Sequence, residues 1–190
     1  MSSIKLTADS NGGTFELKAP ASSSNTRVLT LPDTSNGTVL TTTNPKAGNI
    51  LAVSYGFRTG HFQTTSTSYV DSGITANITP SSSSNKILIQ MNPLMGLNNP
   101  AGQDVIAQVE IVRTISGSDT VIFTERTADF MRYMIGAGNT DYMIAGQFML
   151  HQDSPSTTNQ ITYKLRVRTG GAGTLSCWAG SGLVLQEVAA

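Results

Sequence analysis

The sequence predicts an all-β protein: a short N-terminal β-hairpin segment for docking and trimerisation, followed by an antiparallel β-sandwich head of jelly-roll type. Three observations predict it. Helical periodicity is nearly absent along the 190 residues. Apolar and polar residues alternate with a period of two in segment after segment. Breaks rich in Gly, Pro, Asn and Ser recur at spacings of roughly 8–15 residues, the rhythm of a sandwich or barrel.

The first element set lies in residues 1–45. Ile4-Lys5-Leu6-Thr7, Thr14-Phe15-Glu16-Leu17-Lys18, Arg27-Val28-Leu29-Thr30-Leu31 and Thr38-Val39-Leu40 read as short strands, with Asn11-Gly12 and Asn36-Gly37 between them. Asn-Gly supplies the positive φ angles of a two-residue hairpin turn. The segment is patterned for strands but holds too few apolar residues to make a core of its own, and a lone hairpin is marginal in water. Its apolar set, Ile4, Leu6, Phe15, Leu17, Val28, Leu29 and Leu31, therefore predicts contacts with copies of itself or with a docking partner. Asp9–Phe15 and Asp33–Val39 echo one another, which fits two successive hairpins. A linker at Thr41–Gly48, with Pro45 and Gly48, divides 1–45 from a head spanning 46–190.

The head opens with strand candidates at 50–63, 68–79 and 86–97. In 105–113 Val105, Ala107, Val109 and Ile111 point one way, and Ile106, Gln108, Glu110 and Val112 the other, a mixed face that predicts partial burial on both sides. Strands at 120–126, 129–135 and 141–152 follow. In 160–168 the alternation is cleanest: Ile161, Tyr163, Leu165 and Val167 against Thr162, Lys164, Arg166 and Arg168. Strands at 174–179 and 183–188 close the chain. The Met-rich and aromatic run around Phe130, Met131 and Tyr133, with Tyr142 and Met143, reads as core strands whose second face is a candidate subunit interface, because Met and Tyr suit irregular contacts.

Composition narrows the function. Charged residues are 13% of the chain, about half the usual share of roughly 25%. The 12 basic and 12 acidic residues cancel, so no long-range field draws in nucleic acid or an anionic membrane. Ser, Thr, Asn and Gln supply the polarity, and a chain near zero net charge tends to associate. No stretch reaches the roughly 20 apolar residues of a membrane-spanning helix, and the N-terminus lacks the form of a signal peptide, so synthesis in a cytoplasm without signal-directed export is expected. The single Cys177 excludes an intrachain disulfide framework and reads as a buried thiol.

Candidate chemistry is sparse. His151 and Asp153 share a strand face, two metal ligands where a site needs three or four; His61 is distant in sequence. Glu110, Glu125 and Asp129 are the carboxylates available for glycoside chemistry, with Arg126 and Arg132 beside them as neutralising partners. Gly170–Gly173 has neither the lysine nor the following helix of a phosphate loop and reads as a turn. Trp178 reads as a core or interface anchor before a sugar-stacking platform. The expectation is a non-enzymatic protein with no catalytic residue, metal or cofactor.

Several stretches resemble a known group of proteins. Ile4-Lys5-Leu6, Gly12-Gly13, Leu17-Lys18-Ala19-Pro20, Leu29-Thr30-Leu31-Pro32-Asp33 and Gly37-Thr38-Val39-Leu40 resemble the opening of tail-fibre-like virion surface proteins of marine bacteriophages, cyanophages in particular. Gly48–Leu51, Thr64–Asp71, Ile78–Ile89, Asp153-Ser154-Pro155, Ile161–Lys164 and Leu185–Ala190 resemble their C-terminal heads. The resemblance implies a trimeric, all-β virion component made in the host cytoplasm. It implies a homotrimeric short tail fibre or spike, anchored through the N-terminus to another virion protein of tail or capsid, with the head exposed. The alternatives are a capsid decoration protein, favoured by the absence of a long repetitive shaft, or an adhesin module that binds a host surface glycan or protein.

Overall fold

The computed structural model describes residues 3–7, 14–18, 45–99, 104–124, 130–134 and 141–190. The chain divides into two compact units, Met1–Val39 and Leu40–Ala190. Every regular element among the described residues is a strand, and every strand pairing is antiparallel.

The described residues of the first unit form one ribbon. Strand β1 (Ser3–Thr7) pairs with β2 (Thr14–Lys18). The register sets Ile4 opposite Leu17 and Leu6 opposite Phe15, so these four positions share one face of the ribbon. Thr7 stands opposite Thr14, and the Asn11-Gly12 pair lies outside the described residues. Val28, Leu29, Leu31 and the second Asn-Gly pair lie outside the described residues.

The second unit runs through β3 (Ile50–Phe57), β4 (Phe62–Thr64), β5 (Val70–Ile78), β6 (Lys86–Asn92), β7 (Leu94–Asn99), β8 (Asp104–Ile115) and β9 (Ser118–Thr124). It continues through β10 (Met131–Met134), β11 (Asp141–Gly146), β12 (Met149–Asp153), β13 (Ile161–Gly170), β14 (Thr174–Cys177) and β15 (Gly182–Val188). Two four-stranded ladders, β12-β6-β15-β3 and β11-β7-β14-β4, have the same order. They follow one another along the same four chain segments and make one interrupted layer. The interruption falls at the same level in each segment: residues 58–61, Pro93, residues 147–148 and residues 178–181. Pro93 has no N–H to give a ladder, and its carbonyl accepts from the Gln147 amide at 3.0 Å across the gap. The expected unbroken strands 86–97 and 141–152 are thus each divided in two.

The other layer is β10-β8-β13-β5, with β9 also on β8. Its hairpin β8–β9 turns on Ser116 (φ 50°) and Gly117 (φ 82°), a two-residue turn with both φ angles positive, whose twist matches the strands it joins. The pairings nest outward from this hairpin. The segment β6/β7 pairs with β11/β12, β5 with β13, and β3/β4 with β14/β15. An antiparallel hairpin folded over on itself in this way, four strand positions to a layer, is a jelly roll.

The inner faces follow the alternation. Ile161, Tyr163, Leu165 and Val167 are fully buried, as are Ile74, Ile87, Leu97, Val109 and Leu183. Burying each such side chain contributes roughly 1.5–3 kcal/mol. The mixed face of β8 is buried at Glu110 and Val112 and half-buried at Ile106 and Gln108. Gly73 (φ 80°) sits in a bulge of β5, where the register with β13 shifts; the Ser72 hydroxyl donates to the Leu165 carbonyl there at 2.7 Å.

One polar group joins the layers through the interior. Asp153, on β12, receives two hydrogen bonds from the Arg113 guanidinium (2.9 and 3.0 Å) and one from the Tyr163 hydroxyl (2.7 Å). Burial, then the adjacent carboxylate, pushes the Tyr163 phenol far above its ordinary range. Removing one partner of such a group leaves the others desolvated and unpaired. Asp153→Ala is expected to cost about 3–5 kcal/mol of unfolding free energy, measured as a fall in the denaturation midpoint at unchanged slope. A loss below about 1 kcal/mol would show that the carboxylate does not hold the layers together.

Candidate functional site

The chemistry-bearing side chains are already engaged with one another. Asp153 is held by Arg113 and Tyr163, and the His151 ring lies against Phe123, centroids 5.7 Å apart. The strand face they share is therefore occupied by protein partners. Among the described residues, no group of three or more His, Cys, Asp or Glu is placed to hold a metal. His61 stacks on Trp178 at 4.1 Å with ring planes 21° apart, so Trp178, half-buried, has one face taken by an imidazole. Cys177 is fully buried and its thiol pKa is pushed up to about 11 by burial, which leaves it a poor nucleophile at neutral pH. Glu110 lies 3.7 Å from Arg166, and Arg132 pairs with Asp104; Glu125, Arg126 and Asp129 lie outside the described residues. Gly171 (φ 106°) and Gly173 (φ 152°) turn β13 into β14, and the element that follows is a strand.

Glu187, 1% exposed on β15, has a structural task. One carboxylate oxygen, Oε1, accepts from the Ser81 amide (2.6 Å), the Ser81 hydroxyl (2.7 Å) and the Asn85 side-chain amide (2.6 Å). The Ala190 amide donates to Asn85 Oδ1 at 3.3 Å. The serine-rich loop between β5 and β6 is thereby fastened to the C-terminal strand.

The two outer faces of the sandwich differ in kind. The β10-β8-β13-β5 layer carries an ionic ladder. Arg166 bridges Asp71 (2.8 Å) and Asp119, and Lys164 reaches the same two carboxylates at 3.6 and 3.0 Å. The Thr114 hydroxyl, and then Lys164, hold the Asp119 carboxyl below its ordinary range. Arg168 covers the Tyr69 ring at 4.8 Å. Such exposed pairs contribute about 0–1 kcal/mol each, but they mark a hydrated surface.

The opposite layer presents almost no charge. Its registers place Tyr55, Val184, Gln90 and Leu150 in one outward row, and Val53, Gln186, Leu88 and Gln152 in the next. Lys86 is the one charged residue at an outward position on β3, β6, β12 and β15. Val53, Tyr55 and Phe57 are 57%, 68% and 60% exposed. The Tyr55 and Phe57 rings touch at 5.5 Å, and Phe57 lies over Gly182 on β15, where an added Cβ would meet the ring at 2.8 Å. At the far edge of this layer Phe148 and Leu150 are 67% and 59% exposed. They rim an open hollow of about 170 Å³ that is also lined by Ile111, Phe123, Phe130 and His151.

The residues expected at interfaces distribute differently. Leu6 is 57% exposed on the ribbon face it shares with Ile4, Phe15 and Leu17. In the head, Met131 is 4% exposed and belongs to the core, which corrects its reading as a contact residue; Phe130 and Met143 pack against the core. Tyr133 stands in register with the inward Val105, and Tyr142 with the outward Asn98. The exposed apolar set on β3 and around β12 was not anticipated. Its signal is present in Ala52-Val53-Ser54-Tyr55-Gly56-Phe57, where large and small residues alternate with the large ones outward.

No family model matches the chain, and no curated protein does. Among solved structures it is similar to the infectious bursal disease virus VP2 subviral particle, at 15% identity over 93% of this chain and 42% of that one, TM-score 0.42. It is similar also to the Gx strain of that virus, at 17% identity over 97% of this chain and 40% of the other, TM-score 0.40. The chain thus spans about two fifths of the solved chains it matches. A superposition of that quality implies nothing about this chain's role.

Glu187 also has a pH signature. Burial raises its pKa, but the bonds from Asn85, Ser81 and the Ser81 and Ser82 amides outweigh that and hold it below the usual carboxylate range. Its stabilisation is therefore present above the unfolded-state value of about 4.3 and is lost as pH falls through the folded value. Glu187→Gln is expected to lower stability at pH 7 by about 1–3 kcal/mol and to shrink the loss between pH 5 and 3, read by denaturation at stepped pH. An unchanged acid slope would remove Glu187 from the account.

Proposed function

We propose that the chain is a non-enzymatic structural protein of a bacteriophage virion, a homotrimeric short tail fibre or spike held to the particle by its N-terminal unit with the jelly-roll head outward. One observation carries this reading. The β1–β2 register sets the positions of Ile4, Leu6, Phe15 and Leu17 on one face, Leu6 is 57% exposed, and the sequence of residues 1–45 holds too few apolar residues for a core of its own. At roughly 25 cal/mol per Å² of apolar area, covering it with other copies or a partner gains several kcal/mol per subunit. The resemblance of the N-terminal stretches to virion fibre proteins supports the same direction, and so does a head whose polar and charged groups are committed to one another. A capsid decoration protein is the second reading, differing in station rather than in design.

The full chain is expected to run as a trimer in light scattering at micromolar concentration. Removal of residues 1–45 should weaken assembly or attachment while the head keeps its cooperative unfolding. In a particle map the N-terminal unit should face the particle: a few trimers at one vertex would mean the tail, many over the shell a decoration. A stable monomer, or a map with residues 1–45 free in solvent, would overturn the reading.

A further inference from the structure

The most exposed large apolar side chains of the head, Tyr55, Phe57, Phe148 and Leu150, lie at opposite edges of one layer. In the order β12-β6-β15-β3, β3 is one edge and β12 the other. The β3 edge projects Tyr55 and Phe57. The β12 edge offers the hollow of about 170 Å³ lined by Ile111, Phe123, Phe130, Phe148, Leu150 and His151. A cavity of about 150 Å³ accommodates one benzene ring, so the hollow, walled by aromatic side chains but open to solvent, has the volume of a single aromatic side chain. From these opposed features we infer that the heads pack head to tail, the Tyr55–Phe57 edge of one copy seated in the β12-edge hollow of the next. This rests on the reading that the chain assembles with itself, and it assigns a specific surface to that assembly.

Size, charge and symmetry favour a second copy as the occupant. Aromatic side chains offer roughly 150–250 Å² each, and Tyr55, Phe57 and Phe148 are 68%, 60% and 67% exposed. With Val53 and Leu150, joining the β3 patch of one copy to the β12-edge patch of the next brings together about 600 Å² of apolar surface. Interfaces are roughly 60% apolar, so this corresponds to about 1,000 Å² per contact, the size at which specific association begins. Lys86 is the one charge among the outward positions of these strands, so nothing on the surface selects a charged partner, nor does like charge oppose a copy. A contact between two different edges is heterologous, and a closed ring, rather than an open filament, is the arrangement that a finite oligomer requires of it. The ionic ladder on the other layer stays hydrated in that arrangement.

The test uses the full chain. Tyr55→Arg with Phe57→Arg should weaken self-association about 100-fold in sedimentation or light scattering, as expected for two aromatic anchors. Asn77→Arg, at an exposed site on the opposite layer, should leave it unchanged. Because Tyr55 and Phe57 are mostly exposed, retained cooperative unfolding checks that the head is intact. The pair Tyr55→Cys and Leu150→Cys in one chain should give, on oxidation, a covalent closed oligomer on a non-reducing gel, while each single variant gives none. Three results would overturn the inference: unchanged assembly of the arginine variant, no cross-linking of the double cysteine variant, or efficient self-cross-linking of Tyr55→Cys alone. Each can occur while the wild type still forms trimers through residues 1–45, so the inference can fail with the N-terminal reading standing. A monomeric wild type would overturn both.

Discussion

The carboxylate of Asp153 sets the terms on which this sandwich closes. It stands on β12, and the groups that satisfy it, Arg113 and Tyr163, come from β8 and β13 in the opposing layer. Apolar packing between sheets is forgiving of small slides, because one methyl contact replaces another. A buried charge is not: a one-residue slip of β12 would turn Asp153 outward and leave Arg113 and the Tyr163 hydroxyl without their acceptor. The ion pair thus adds register more than stability. Glu187 does the same at the chain's end, where three donors on a single oxygen fix the β5–β6 loop against β15.

With the layers fixed, the remaining choice is what each shows to the outside. The two outer faces answer oppositely. Where β13 pairs with β5 and β8, the outward row alternates cations and carboxylates across strands. Where β3 pairs with β15, the outward positions are Val53, Tyr55 and Phe57, and the inward ones Ala52, Ser54 and Gly56. The inversion has a steric cause. An added Cβ on Gly56 would fall 1.8 Å from the Thr75 carbonyl oxygen of β5, so β3 lies too close to the other layer to send large side chains inward. Bulk at these positions has to go outward, and Gly182 leaves the room that Phe57 uses.

This explains which parts of the structure were legible in the sequence. Strands with one dry and one wet face, such as β13 and β5, announce themselves by alternation, and the fold class followed from them. The shared interruption of four strands followed only in part. The break at 178–181 shows between 174–179 and 183–188, where Gly180 and Gly182 mark it. The stretches 50–63, 86–97 and 141–152 read as unbroken, although Pro93 stands in one of them. Met131 and Tyr55 show the same limit from two sides. The sequence reads the strand of the first as core with a candidate interface on its second face, and the second only as part of a strand, whereas Met131 is 4% exposed and Tyr55 is 68% exposed. Apolar character tells that a side chain will be covered, not by what. That is decided by the distance to the facing sheet, a property of residues far away in the chain. The ribbon was read from its apolar pairs, and its register bears on the four of them it contains.

The low charge of the chain takes on meaning in this light. Charged residues are 13% of the sequence, and among the described residues of the head they are concentrated on one layer. A protein that stayed single in solution would gain by spreading charge over all its surfaces, since exposed apolar faces invite uncontrolled association. Leaving one face of the head nearly without charge, with large apolar side chains among its glutamines, is best tolerated if that face is covered early. In the head-to-tail packing inferred above, an aromatic edge and an aromatic-walled hollow on opposite sides of one layer would cover each other, and in the proposed trimer the shared face of Ile4, Leu6, Phe15 and Leu17 would be a second site of cover. Two modest apolar sites in one chain bind cooperatively once either has formed, because the second contact is then made at high effective concentration. On that proposal, assembly would be strong without any single surface being large, and the ionic layer would be left to face the solvent.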